Sequence, residues 1–105
     1  LVAEHDGMIV GCAALYPFPD EKTGELACLA VHPDYQNRGY GDALLKRVEA
    51  RARRAGLEQL FVLTTRTAHW FLERGFVEQE VDALPRQRQA LYNLQRRSKV
   101  FAKRL

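Results

Sequence analysis

The segment VHPDYQNRGYGDALL, residues 31–45, sets a proline, two glycines and several polar side chains between an apolar run and a helix-like one. A strand that ends in a glycine-bearing turn and feeds a helix gathers unpaired backbone N–H groups and the positive end of the helix dipole around one point. That point attracts an anion, phosphate above all. Gly39 and Gly41 leave no side chain between backbone and ligand and tolerate the dihedrals that a cradle requires. The spacing is not the dinucleotide GxGxxG, and no Lys-Ser/Thr follows to make a P-loop. Taken alone, such a turn serves as readily as a tight connection between a strand and a helix.

The charged residues form a second pattern. Residues 86–105 carry seven Lys and Arg and no acid, whereas residues 1–85 hold nine basic and thirteen acidic side chains, a net of −4. A basic end of this kind suits a solvated face, a nucleic-acid contact or a pocket for small anions. Leu91, Tyr92, Leu94, Val100 and Phe101 interleave with the charges, which favours a folded segment over a loose nucleic-acid-binding arm. His5, His32 and His69 show no metal-ligand spacing with one another or with the acids, so no metal is expected. His32, before Pro33, reads as a hydrogen-bonded turn residue, and Trp70 as core. Cys12 and Cys28 lie in apolar runs without disulfide-like or zinc-like spacing and read as reduced, buried thiols of a cytoplasmic protein. Neither a nucleophile elbow nor a Ser/His/Asp triad is legible.

The elements that position these residues follow from periodicity. At 105 residues the chain has room for one domain and one core. It opens on Leu1, directly in strand-like sequence, and is expected to be a piece of a longer protein. No apolar run approaches the length of a membrane span. LVAEHDGMIVGCAALYPF reads as two strands joined at Asp6-Gly7, a dipeptide suited to tight hairpins. ELACLAV (25–31) is apolar on both faces and reads as a central strand. From Asp42 the period becomes helical, with Leu44, Leu45, Val48, Ala52 and Ala55 on one face, Lys46, Arg47, Glu49 and several arginines on the other, and Gly56 as the stop. A strand at about 59–64, a short helix AHWFLER closed by Gly75, a strand FVEQEV, a helix-like RQRQALYNLQ and a last strand SKVFAKRL complete the order. The fold class is α/β (α+β), a sheet with helices in its connections.

Within this order, LAVHPDYQNRGYGDALL resembles the acetyl-CoA motif Q/R-x-x-G-x-G/A of the GNAT superfamily of N-acetyltransferases, carried here by Gln36, Gly39 and Gly41. WFLERGF resembles the short helix and strand that complete that fold. The resemblance spans residues 1–105 and implies a mixed central sheet with helices on both faces, lacking only the family's first strand and first two helices. ELACLAVHPDYQ, LFVLTTRTAHWFLERGF, LPRQRQALYN and RRSKVF further resemble the C-terminal acetyltransferase domain of the bacterial N-acetylglutamate synthases. That likeness implies acetyl transfer from acetyl-CoA to the α-amine of L-glutamate, the first step of arginine biosynthesis. It also implies an upstream amino-acid-kinase-like domain that carries arginine inhibition and homo-oligomer contacts, with neither nucleic acid nor membrane as partner.

The same resemblance assigns roles. Cys28, Leu29, Ala30 and Val31 would line acetyl-CoA as a strand does, with an oxyanion-binding N–H near Cys28 and Leu29. Gln36, Asn37, Arg38, Gly39, Tyr40, Gly41 and Asp42 would hold the pyrophosphate. An amine attacks a thioester only when neutral, so a carboxylate base is useful, and Glu25 is the candidate; a solvated charge at the strand end is its plain alternative. Many family members place a tyrosine where this chain has Phe71, so the thiolate's proton must come from elsewhere. Thr64 is the nearest candidate, with a simple strand residue as the alternative. Arg66, Arg96, Arg97 and Ser98 are candidates for glutamate's carboxylates, Arg96 and Ser98 foremost, since planar forks suit carboxylates. A GNAT enzyme for another small amine or a protein N-terminus, and a catalytically silent acetyl-CoA-binding domain, are the rival readings.

Overall fold

The structure is a computed structural model that describes residues 1–64, 67–86, 88–89 and 99–105. Its chain order is β1 (Val2–His5), β2 (Met8–Phe18), β3 (Thr23–Val31), α1 (Tyr40–Arg54), β4 (Gln59–Thr64), α2 (Ala68–Leu72), β5 (Val77–Gln79) and β6 (Lys99–Arg104). The strands form one six-stranded sheet in the order β1-β2-β3-β4-β6-β5. The β3–β4 pair is parallel and the other four pairs are antiparallel. Crossing from β3 to a parallel β4 requires a long connection, which is why α1 lies between them. Asp6 and Gly7, with φ of 50° and 80°, make the expected hairpin turn between β1 and β2.

One face of the sheet carries α1 and α2. Leu44, Leu45, Val48 and Ala52 of α1 and Phe71 of α2 close over Ala13, Leu26, Leu60, Val62 and Phe101 in the larger core cluster. Burying a side chain such as Leu44 stabilises by about 1.5–3 kcal/mol. The opposite face has a smaller cluster, in which Leu84 covers Phe61, Val100 and Ala102. Beyond Leu84 the chain turns helical at Arg86, Arg88 and Gln89.

Two expectations about α1 need correction. Ala55, assigned to the apolar face, is exposed as the helix cap. Glu49, assigned to the polar face, is buried because Lys103 of β6 reaches it with a 2.7 Å bond from Nζ to Oε2. The lysine stem lies against the sheet while its ammonium meets the carboxylate, so a charged residue sits within the apolar stripe.

The alternation read for residues 25–31 is broken. Ala14 pairs with Cys28 but Leu15 pairs with Leu26, which leaves Ala27 as the extra residue of a bulge in β3. Leu26 and Leu29 thereby both pack into the helix-face core. Cys28 becomes exposed instead of buried, and Cys12 is half-buried with its sulfur 3.8 Å from that of Cys28.

Candidate functional site

The bulge coincides with a parting of strands. β3 and β4 are in register only from Thr23–Glu25 against Gln59–Phe61. Beyond Glu25, no strand among the described residues pairs with β3 on the β4 side. An unpaired strand edge offers N–H and C=O groups to an extended ligand. This edge runs into an open groove of about 420 Å³, whose walls include Leu29 and Val31 of β3, Gly39 and Gly41, and Thr67 and Trp70. Leu29, Val31 and Trp70 all pack against the helix-face core, so that face of the sheet carries the groove.

The floor of the groove is the turn into α1. Pro33–Tyr35 form a short 3₁₀ turn, capped by His32, whose Nδ1 accepts from the Asp34 N–H at 3.1 Å, as the sequence suggested. Asn37 (φ 64°) and Gly39 (φ 87°) then take left-handed conformations, and Gly39 caps α1. The two motif glycines differ in their reasons. A Cβ at Gly39 would meet nothing within 4 Å and would project into open space, whereas one at Gly41 would come within 3.1 Å of Trp70. Gly39 keeps the approach to the backbone clear, and Gly41 lets α1 and α2 close on each other.

The side chains of the turn are occupied in several ways. Gln36 Nε2 donates to the Val31 carbonyl at 3.1 Å and ties the turn to the end of β3. The guanidinium of Arg38 lies 5.2 Å from the ring centre of Tyr35, and the Tyr40 hydroxyl is 2.9 Å from His5 Nδ1. Asp42 faces Arg74, which donates through Nε at 2.6 Å and Nη2 at 3.2 Å. The Arg74 guanidinium also stacks 3.8 Å from the Trp70 ring centre and donates to the Trp70 carbonyl at 2.9 Å. Its hydrogen bond holds the Asp42 carboxyl below the usual carboxylate range and raises the Arg74 value in return. A carboxylate beside an anion site would repel the ligand; the paired arginine offsets that charge. Trp70, read as core, is half-buried and walls the groove.

Thr64 and Glu25 lie on opposite faces. Thr64 alternates with Val62 and Leu60 towards the helix face. Its hydroxyl lies 2.8 Å from that of Thr67, a residue of the groove wall, and accepts from the Thr67 N–H at 3.2 Å. Glu25 is paired with Phe61 in register and points to the other face. There Arg88 donates through Nε to Oε1 at 2.8 Å and through Nη2 to Oε2 at 3.3 Å. Both side chains are enclosed, 6% exposed for Arg88 and 11% for Glu25, so Glu25 is no solvated strand-end charge. Arg66, Arg96, Arg97 and Ser98 lie outside the described residues.

Arg88, Arg74 and Thr67 escaped sequence reasoning. For Arg74 a signal existed, since Trp70 stands four residues before it in the helix-like AHWFLER. For Arg88 none did: its partner is 63 positions away. Among the described residues no cluster of His, Cys, Asp or Glu could hold a metal ion, and no helix is long and apolar enough to cross a membrane.

Comparisons with known proteins show the family. Residues 1–76 match the acetyltransferase (GNAT) family. The chain is 65% identical over 104 residues to an amino-acid acetyltransferase of Ralstonia nicotianae, covering 99% of this chain and 23% of that protein. It is 64% identical over 104 residues to an amino-acid acetyltransferase of Azotobacter vinelandii, covering 99% of this chain and 24% of that one. N-acetylglutamate synthase from Neisseria gonorrhoeae, solved with coenzyme A and N-acetyl-glutamate, superposes with a TM-score of 0.95 at 45% identity, over 99% of this chain and 25% of that one. The same enzyme with coenzyme A and L-arginine gives a TM-score of 0.91. The chain thus spans about a quarter of the length of these relatives.

Proposed function

The chain belongs to the GNAT family of acetyltransferases, and from that premise we propose that it moves acetyl from acetyl-CoA to the α-amine of L-glutamate by direct attack in a ternary complex. The observation that carries this reading is the parted edge of β3 running into the glycine turn of α1. An extended thioester fits along Cys28–Val31 as a strand would. Its pyrophosphate falls at Gln36–Asp42, where the N–H groups of the turn and first helical residues converge. Backbone N–H groups near the bulge are available to the oxygen that gains charge as the amine attacks.

The two faces then divide the proton transfers. Glu25, on the face away from the groove, accepts the α-ammonium proton directly or through one water. The N–C bond forms as the C–S bond breaks. The coenzyme A thiolate leaves on the groove side and takes its proton from solvent, directly or relayed through the Thr64 hydroxyl, which regains its own from water. Arg96 and Ser98, with Arg66 or Arg97 in reserve, hold the glutamate side-chain carboxylate; that assignment rests on resemblance to the relatives, one of which is solved with N-acetyl-glutamate. In this reading the reaction opens arginine biosynthesis in the cytoplasm, and an upstream amino-acid-kinase-like domain provides oligomer contacts. A silent acetyl-CoA-binding domain is the second reading. In its favour, both Glu25 oxygens accept from Arg88.

The test is thiol release from acetyl-CoA by the full chain across the amino acids. A pocket built for a carboxylate leaves a guanidinium unpaired with glutamine, so the specificity constant for glutamate should exceed that for glutamine by about 2 kcal/mol, roughly 30-fold. Equal constants would remove glutamate as the substrate. Acetyl-CoA binding without turnover of any amine would establish the silent domain.

A further inference from the structure

We infer that Arg88 is a positioning residue for acetyl transfer, one that holds the Glu25 carboxylate in a single orientation at the point where β3 leaves β4. The inference rests on the reading of Glu25 as the base and goes beyond it, because it explains how a carboxylate on that face is aimed. Glu25 is the last residue of β3 in register with β4, and the bulge at Ala27 follows two positions later. A side chain there stands at the apex of the opening, beside the edge that receives the thioester.

A glutamate carboxylate, on a side chain with three torsions, would otherwise rotate about this point. The Arg88 fork meets it side-on, with one N–H on each oxygen at 2.8 and 3.3 Å. A planar guanidinium matches a planar carboxylate in one arrangement, which a lysine ammonium does not impose. An ionised carboxylate has about four acceptor positions. The fork uses one on each oxygen and leaves one on each for the incoming ammonium or its bridging water. Leu84, Phe61 and Val100 fill the same face with apolar surface, so the pair lies in low dielectric, where its attraction is strengthened. Stability alone is a poor reason for such a pair: desolvating two charges largely offsets their attraction, and apolar replacements are often as stable.

Truncating Arg88 would strand a buried carboxylate and endanger folding. Arg88→Lys therefore carries the test, in the full chain, in both the native and the Glu25→Gln background, with thermal unfolding followed alongside. In the native background kcat should fall roughly tenfold while the KM for acetyl-CoA stays within about twofold, as for a group acting only on the transition state. In the Glu25→Gln background the same substitution should change kcat by less than about twofold, since the carboxylate it aims is gone. An equal loss of kcat in both backgrounds, or an unchanged kcat with a lowered unfolding temperature, overturns the positioning role. Glu25→Gln that is slow while Arg88→Lys turns over normally removes Arg88 and leaves the base. Glu25→Gln that turns over normally removes the base itself, and Arg88 with it.

Discussion

The two faces of the sheet handle charge in contrasting ways. On the helix face, the anion site proposed at residues 36–42 is contiguous in sequence and open to solvent and would rely on backbone donors, and the side chains of Gln36, Asn37 and Arg38 are exposed around it. On the other face, Glu25 and Arg88 come from distant parts of the chain, are enclosed, and meet through side chains alone. A backbone site survives most side-chain changes and fails where a Cβ intrudes. A side-chain site fails when either member changes. The contrast therefore predicts where the molecule is fragile, and how fragile.

The largest effect is expected on the enclosed face. Glu25→Gln keeps shape and loses the proton acceptor, so kcat at neutral pH should fall about 10²-fold or more while the KM for acetyl-CoA barely moves. The loss should shrink as rising pH supplies the free amine from solution. A constant loss across pH, measured by thiol release, would mean that Glu25 serves the fold and not the proton transfer.

A middle effect belongs to the open face. At Gly39, φ is 87° and the missing side chain faces open space. Gly39→Val both strains that conformation and screens the N–H groups, so acetyl-CoA binding should weaken by about 2 kcal/mol, the scale of a buried polar group left unpaired. Calorimetry on a folded variant that gives native affinity would take the pyrophosphate away from this turn.

The smallest effect is expected at the clasp between α1 and α2. The Asp42–Arg74 pair is partly open to solvent, so Asp42→Asn should lower the stability of the fold by no more than about 1 kcal/mol. Arg74 lowers the Asp42 value, so the pair contributes fully above the ordinary carboxylate range and fades as pH falls through the lowered value. Native and Asp42→Asn proteins should accordingly converge in acid when thermal unfolding is followed across pH. A difference that grows in acid would contradict the clasp.

Much of the fold was legible because its signals are local. The Asp6-Gly7 hairpin, the stripe Leu44, Leu45, Val48 and Ala52, the stop at Gly56 and the strand at 59–64 each express backbone preference or a period within a few residues. The reading failed where a distant partner intervened. Glu49 looked like a surface residue until Lys103 arrived from the last strand, and Cys28 looked buried until the bulge at Ala27 turned it outward. Gly41 lines the groove as its motif suggested, but that a Cβ there would also come within 3.1 Å of Trp70 in the next helix was not legible.

The sequence by itself determined the cradle. Gln36, Gly39 and Gly41 fall within six residues at the mouth of α1, so their proximity follows from chain geometry whatever the rest of the molecule does. Only the tertiary structure decided that Glu25 meets Arg88, that Thr64 and Glu25 fall on opposite faces, and that Arg74 neutralises Asp42. Those relations depend on which strands pair and where they part. Strand pairing is set by the packing of the whole core, and no stretch of a few residues contains it.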